Sequence, residues 1–128
     1  MPESTPQYVD LQVNGYAGAD FNADDLAPDT FSAACERLVA DGVAGILATV
    51  ITDDLERIET RLQRLVALRN SDPVAQDVIV GFHVEGPFLN KAPGFIGAHP
   101  AQFAREADPT AMQRLLEAAD GQVRIVTL

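Results

Sequence analysis

The chain has 128 residues, 47% apolar and 22% charged, with 19 acidic against 9 basic side chains and a formal net charge of −10. That balance supports a folded core in one domain over residues 1–128 rather than disorder, and the acidity, with Lys91 the one lysine, disfavours nucleic acid and anionic membranes as partners. Cys35 stands alone, no apolar run approaches the roughly 18 residues of a membrane helix, and residues 1–6 lack a secretory leader's basic and apolar regions, so a cytoplasmic protein is expected.

The first strand is predicted over Tyr8–Val13, followed by a long connection, 14–27, that carries Gly15 and Gly18. A helix should begin near Pro28, turn Phe31, Ala34 and Leu38 inward, hold Cys35 as a packed thiol and end at Asp41-Gly42. The second strand is predicted over 45–50, with Thr49 and Thr52 in structural roles. Leu55, Ile58, Leu62, Leu65 and Val66 then fall on one helical stripe, leaving Arg57, Glu59, Arg61 and Arg64 to solvent. Asp53 is the expected N-cap of this helix, with Glu56 as its capping-box partner, and Asn70-Ser71-Asp72-Pro73 should stop it.

The third strand is predicted over 78–85, and its continuous apolar run Val78-Ile79-Val80-Gly81-Phe82 suits a strand buried on both faces of a parallel sheet. The connection after it, 86–107, is rich in glycine and proline, and loops of that length are usually functional. The third helix is predicted from Asp108-Pro109-Thr110, burying Met112, Leu115 and Leu116 and ending at Ala119-Asp120-Gly121. A fourth strand follows over 123–128. The order β-α-β-α-β-α-β is that of an α/β fold, either a doubly wound sheet or a TIM-type (β/α)8 barrel. A barrel needs about 250 residues, so this chain would supply a partial one, about half. In either fold, sites lie beyond the carboxyl ends of the strands, where both long connections begin.

The third strand ends in Gly81-Phe82-His83-Val84-Glu85-Gly86-Pro87. An unpaired carboxylate is costly to bury, so Glu85 should meet a cation or a metal, and carboxylate plus imidazole is an ordinary zinc or iron set. His83 and Glu85, two apart, share a strand face, although His83 alone reads as a satisfied core residue. His99 sits between Gly97 and Pro100, which restrict the backbone around it. On the first strand Asp10, Gln12 and Asn14 are expected on one face, where buried amides need partners.

These stretches resemble N-acetylglucosamine-6-phosphate deacetylases of the amidohydrolase superfamily. The resemblance rests on Val9-Asp10-Leu11-Gln12-Val13-Asn14-Gly15-Tyr16, Ala48-Thr49-Val50-Ile51-Thr52, the segment from Gly81 to Leu89, and Gly97-Ala98-His99-Pro100. It implies a distorted barrel with one divalent metal ion, zinc or iron, at its mouth. It further implies Glu85 as a metal ligand, His99 as a catalytic group that contacts substrate and polarises the acetamide carbonyl, and Gln12 and Asn14 as substrate-binding positions. The substrate implied is a small amino-sugar phosphate, and the full-length enzyme a homo-oligomer. The family's two further histidine ligands and its catalytic aspartate have no counterpart here, so the isolated chain is expected to be an inactive N-terminal part of the barrel. A non-catalytic α/β module completed by a partner chain, and an amidohydrolase of cyclic amides, stand as alternatives. Gln12 and Asn14, where the latter would carry a His-x-His pair, speak against it.

Overall fold

The computed structural model describes residues 7–128; the expected lack of a leader in residues 1–6 lies outside them. Four strands form one parallel sheet: β1 (Tyr8–Val13), β4 (Val43–Ile51), β5 (Ile79–Glu85) and β6 (Val123–Thr127), in that spatial order. Two short strands, β2 (Gly15–Tyr16) and β3 (Ala19–Asp20), make an antiparallel hairpin inside what the sequence presents as a loop. The helices are α1 (Pro28–Ala40), α2 (Leu55–Asn70), α3 (Pro73–Val78) and α4 (Pro109–Ala118). No helix among the described residues is long and apolar enough to cross a membrane.

Chain order and spatial order coincide in the sheet, with no point at which the winding reverses. Right-handed crossovers that always step the same way bring their helices to one face. Accordingly α1 packs on α3, α3 on α2 and α2 on α4. The core lies between this layer and the sheet. Phe31, Ala34, Cys35 and Leu38 of α1 enter it, with Ile46, Ala48 and Val50 of β4 and Phe82 and Val84 of β5. Phe21 joins from the first connection and meets Phe31 edge to face, ring centroids 6.1 Å apart.

The helix ends follow ordinary capping chemistry, with three departures from expectation. Asp54, not Asp53, caps α2 by accepting the Glu56 amide at 3.0 Å, because the Asp53 carboxylate is drawn away to Arg61. Pro73 stops α2 and also opens α3, whose first turn Asp72 caps through the amides of Val74 and Ala75; Val78 therefore ends a helix instead of starting a strand. On α4 the buried stripe is Ala111, Leu115 and Ala118, while Met112 and Leu116 are half-buried. Met112 instead lines an apolar groove with Phe88 and Val126.

Candidate functional site

The parallel strands point their carboxyl ends to one rim, and Glu85 closes β5 there. Its Oε2 accepts the Gln12 side-chain amide of β1 at 2.9 Å, and its Oε1 lies 3.3 Å from Nε2 of His99 in the 86–107 connection. Glu85 and His99 are both partly buried, their side chains 19% and 23% exposed. Three of the four expected site residues are thus brought together from segments far apart in the chain.

Asn14 is not one of them. β1 ends at Val13, and the β2–β3 hairpin starts immediately afterwards, so the alternation that would have aligned Asn14 with Gln12 stops one residue short. The Asn14 carbonyl accepts the Phe21 amide at 3.0 Å, and the residue lines a shallow hollow over 14–20. Asp10, exposed, accepts the Gln12 backbone amide.

The turn after Glu85 is held tightly. Gly86 has φ +84°, a left-handed conformation that favours glycine, and a Cβ there would run into the Thr52 hydroxyl. Thr52, almost fully buried, donates that hydroxyl to the Glu85 carbonyl at 2.8 Å, and the Gly86 amide donates to the Thr127 carbonyl at 3.1 Å. Thr49 fills the structural role expected of it: its hydroxyl accepts the Val13 amide and donates to the Leu47 carbonyl, each at 3.0 Å.

His83 lies on the face that carries Glu85. It is buried, with Nδ1 2.8 Å from the Leu11 carbonyl and Nε2 2.6 Å from the Thr127 hydroxyl. A carbonyl only accepts, so Nδ1 carries a proton; in the neutral ring Nε2 accepts from Thr127. Leu11 is two strands from β5, about 9–10 Å in a flat sheet. β1 leaves regular register with β4 between Asp10 and Val13, and there the Leu11 carbonyl comes within reach of the ring.

Four residues that organise the rim escaped sequence reasoning. Asn22 clips the first connection to β4, donating to the Thr49 carbonyl at 3.0 Å and accepting the Ile51 amide at 2.9 Å. Arg61 is not solvated: it is buried and reaches Asp53 at 2.8 Å and Asp24 at 3.1 Å, while Arg64 donates to the Ala23 carbonyl at 2.7 Å. The contact with Arg61 holds the Asp24 carboxyl below the usual carboxylate range, first by its hydrogen bond and then by its charge. The signal was present, since Ile58, Arg61, Leu62 and Leu65 are spaced i, i+3, i+4, i+7 and occupy one face.

The resemblance implies a divalent metal held by Glu85, and the donor set can be tested against that. Glu85 fits as one ligand: it is a partly buried hard oxygen donor at the rim, and among the described residues no Lys or Arg lies within ion-pair distance of it. The described residues contain no group of three His, Cys, Asp or Glu side chains that could hold an ion unaided. Gln12, turning its amide N–H toward Glu85, is a neutral partner of the carboxylate.

No family model matches the chain. It is 32% identical to the N-acetylgalactosamine-6-phosphate deacetylase of Escherichia coli O157:H7, the match covering 96% of this chain and 31% of the relative. It is also 32% identical to the N-acetylglucosamine-6-phosphate deacetylase of Bos taurus, over 96% of this chain and 30% of that one. A solved N-acetyl-D-glucosamine-6-phosphate deacetylase from Mycobacterium smegmatis, a mutant in complex with N-acetyl-D-glucosamine-6-phosphate, superposes with a TM-score of 0.77 at 29% identity, covering 96% of this chain and 30% of that one. Over nearly its whole length, then, the chain resembles N-acetylglucosamine-6-phosphate deacetylases, as its motif segments imply, and it spans about 30% of the length of these relatives.

Proposed function

We propose that these residues form part of a (β/α)8 barrel, as one domain over 1–128, whose mouth hydrolyses the N-acetyl group of N-acetylglucosamine 6-phosphate to glucosamine 6-phosphate and acetate. The observation that carries the reading is the meeting of Gln12, Glu85 and His99 at the carboxyl rim of a parallel sheet. Sequential strand order and helices packed side by side support a barrel over a doubly wound sheet.

Glu85 would hold one divalent cation, zinc or iron. When bound, such an ion acidifies water and polarises a carbonyl. Gln12 keeps the Glu85 carboxylate oriented through its amide. His99, whose Nε2 lies 3.3 Å from Glu85 Oε1, would turn that nitrogen to the acetamide oxygen once a cation takes up the carboxylate, and so serve as a catalytic group. Gln12 contacts the sugar, whereas Asn14 stands apart from it. Because both are neutral amides, they favour one ion per site over two.

The only other histidine, His83, has both ring nitrogens engaged, so the remaining ligands and the general base come from outside these 128 residues. The chain alone is therefore inactive. The reading places the enzyme in the cytoplasm, as a homo-oligomer at full length, acting on a small-molecule substrate.

The test is a chimera in which this chain replaces the matching stretch of the Escherichia coli relative. Acetate release should be measurable and should fall by about 100-fold or more with Glu85→Gln, while the 128 residues alone should release none. Turnover by the chain alone, or a chimera indifferent to Glu85→Gln, would refute the reading. A second substrate is favoured by one observation: the Escherichia coli relative is named for the galactosamine epimer. Preference of the chimera for N-acetylgalactosamine 6-phosphate would assign that sugar.

A further inference from the structure

We infer that His83 is a positioning residue that sets the Glu85 carboxylate by pinning the two strands on which its surroundings depend. The inference rests on Glu85 being the metal-holding group proposed above. His83 interrupts the apolar run Ile79-Val80-Gly81-Phe82-Val84 of β5, and a buried imidazole there costs stability unless both nitrogens are satisfied.

Both are, and the partners are informative. Leu11, whose carbonyl takes the Nδ1 proton, immediately precedes Gln12, whose amide holds Glu85 Oε2. Thr127, whose hydroxyl meets Nε2, pairs in register with Glu85 and accepts the Gly86 amide through its own carbonyl. One ring therefore fixes β1 and β6 against β5, at Leu11 one residue before Gln12 and at Thr127, the residue that pairs with Glu85. The arrangement needs a donor at Nδ1 and a polar nitrogen at Nε2 together, which an apolar side chain of equal volume cannot provide.

The ring does not touch Glu85, so its effect is indirect and separable from that of a ligand. In the 128-residue chain, 15N NMR should show His83 Nδ1 protonated; an unprotonated Nδ1 overturns the assignment. The Gln12 side-chain amide, identified as the resonance lost in Gln12→Ala, should move in His83→Phe toward its position in Glu85→Ala, where its acceptor is gone. His83→Asn, which retains a donor near Nδ1, should leave it nearer the wild-type position and serves if His83→Phe does not fold. An unmoved Gln12 amide in a folded His83→Phe chain overturns the proposal, as does a His83→Asn amide displaced as far as that of Glu85→Ala.

Zn2+ titration of the metal-free chimera described above, which supplies the remaining ligands, adds a second readout. His83→Phe should weaken zinc binding by about tenfold or more relative to wild type, in the range of supporting groups around metal sites. Unchanged zinc affinity in His83→Phe, with Glu85→Gln weakened, also overturns it. If Glu85→Gln binds zinc as wild type does, the metal reading fails, while the Gln12 resonance still decides the role of His83.

Discussion

Replacing Gly86 by alanine perturbs the turn that aims Glu85, and the structure gives the size of the effect. The residue holds φ +84°, which costs an alanine about 1–2 kcal/mol. The new methyl group would also overlap the Thr52 hydroxyl, which is buried and donates to the Glu85 carbonyl at 2.8 Å. Moving Thr52 aside forfeits that hydrogen bond, about 0.5–1.5 kcal/mol, and overpacking a well-filled site adds about 1–3 kcal/mol. Reduced freedom of the unfolded chain returns only about 0.4–1 kcal/mol. Gly86→Ala should therefore destabilise by about 2–5 kcal/mol in urea titration followed by circular dichroism. The two causes separate in a double-mutant cycle, because Thr52→Ala removes the overlapping oxygen but leaves the backbone cost. In that background Gly86→Ala should cost about 0–1.6 kcal/mol, the backbone cost less the unfolded-chain gain. A loss below about 0.5 kcal/mol in the wild type, or strict additivity with Thr52→Ala, would refute the reasoning.

Arg61→Ala leaves Asp53, only 15% exposed, without its 2.8 Å partner and should cost about 2–4 kcal/mol, whereas Arg37→Ala, at an exposed i, i+4 pair, should leave the urea midpoint nearly unchanged. Burial foremost, then the nearby Asp72 and Glu36 charges, push the Cys35 thiol up to about 12, so iodoacetamide at pH 8 should label it only after unfolding; rapid labelling of the native chain would contradict its packing. The Ser32 hydroxyl, followed by the amides of Ala75 and Val74, holds the Asp72 carboxyl below the usual carboxylate range. A carboxyl depressed on folding stabilises above its ordinary pKa of about 4, and that contribution is lost as pH falls through the folded value. Asp72→Asn, which still caps α3, should therefore show a shallower acid limb in thermal melts below pH 4, and an unchanged limb would remove Asp72 from the account.

The alternation of elements was legible along the chain because burial imposes its period on local sequence. Phe31, Ala34 and Leu38 at helical spacing, and the apolar run before His83, named their elements without help from distant residues. The proline-led starts at Pro28 and Pro109 were legible for a similar reason: the cap and the first turn are neighbours in sequence. Glu85, Gln12 and His99 could be singled out because each is chemistry placed where a strand or a glycine-proline loop makes it conspicuous.

Other features depend on partners that sequence order does not bring near. Arg61 looked solvated until Asp53 and Asp24 were folded beside it, since a charge enters an apolar face only when its counter-ions arrive with it. The cap of α2 passed from Asp53 to Asp54 for the same reason. Asn14 lost its place beside Gln12 to a two-residue hairpin too short to leave a period. Residue types and their spacing determined by themselves which segments would be strands and helices, and that Glu85 would seek a partner. Only the tertiary structure decided that a neutral amide from β1 and an imidazole from residue 99 would supply it, because contacts across 73 and 14 residues exist only once the strands have paired and the long loop has returned to their rim.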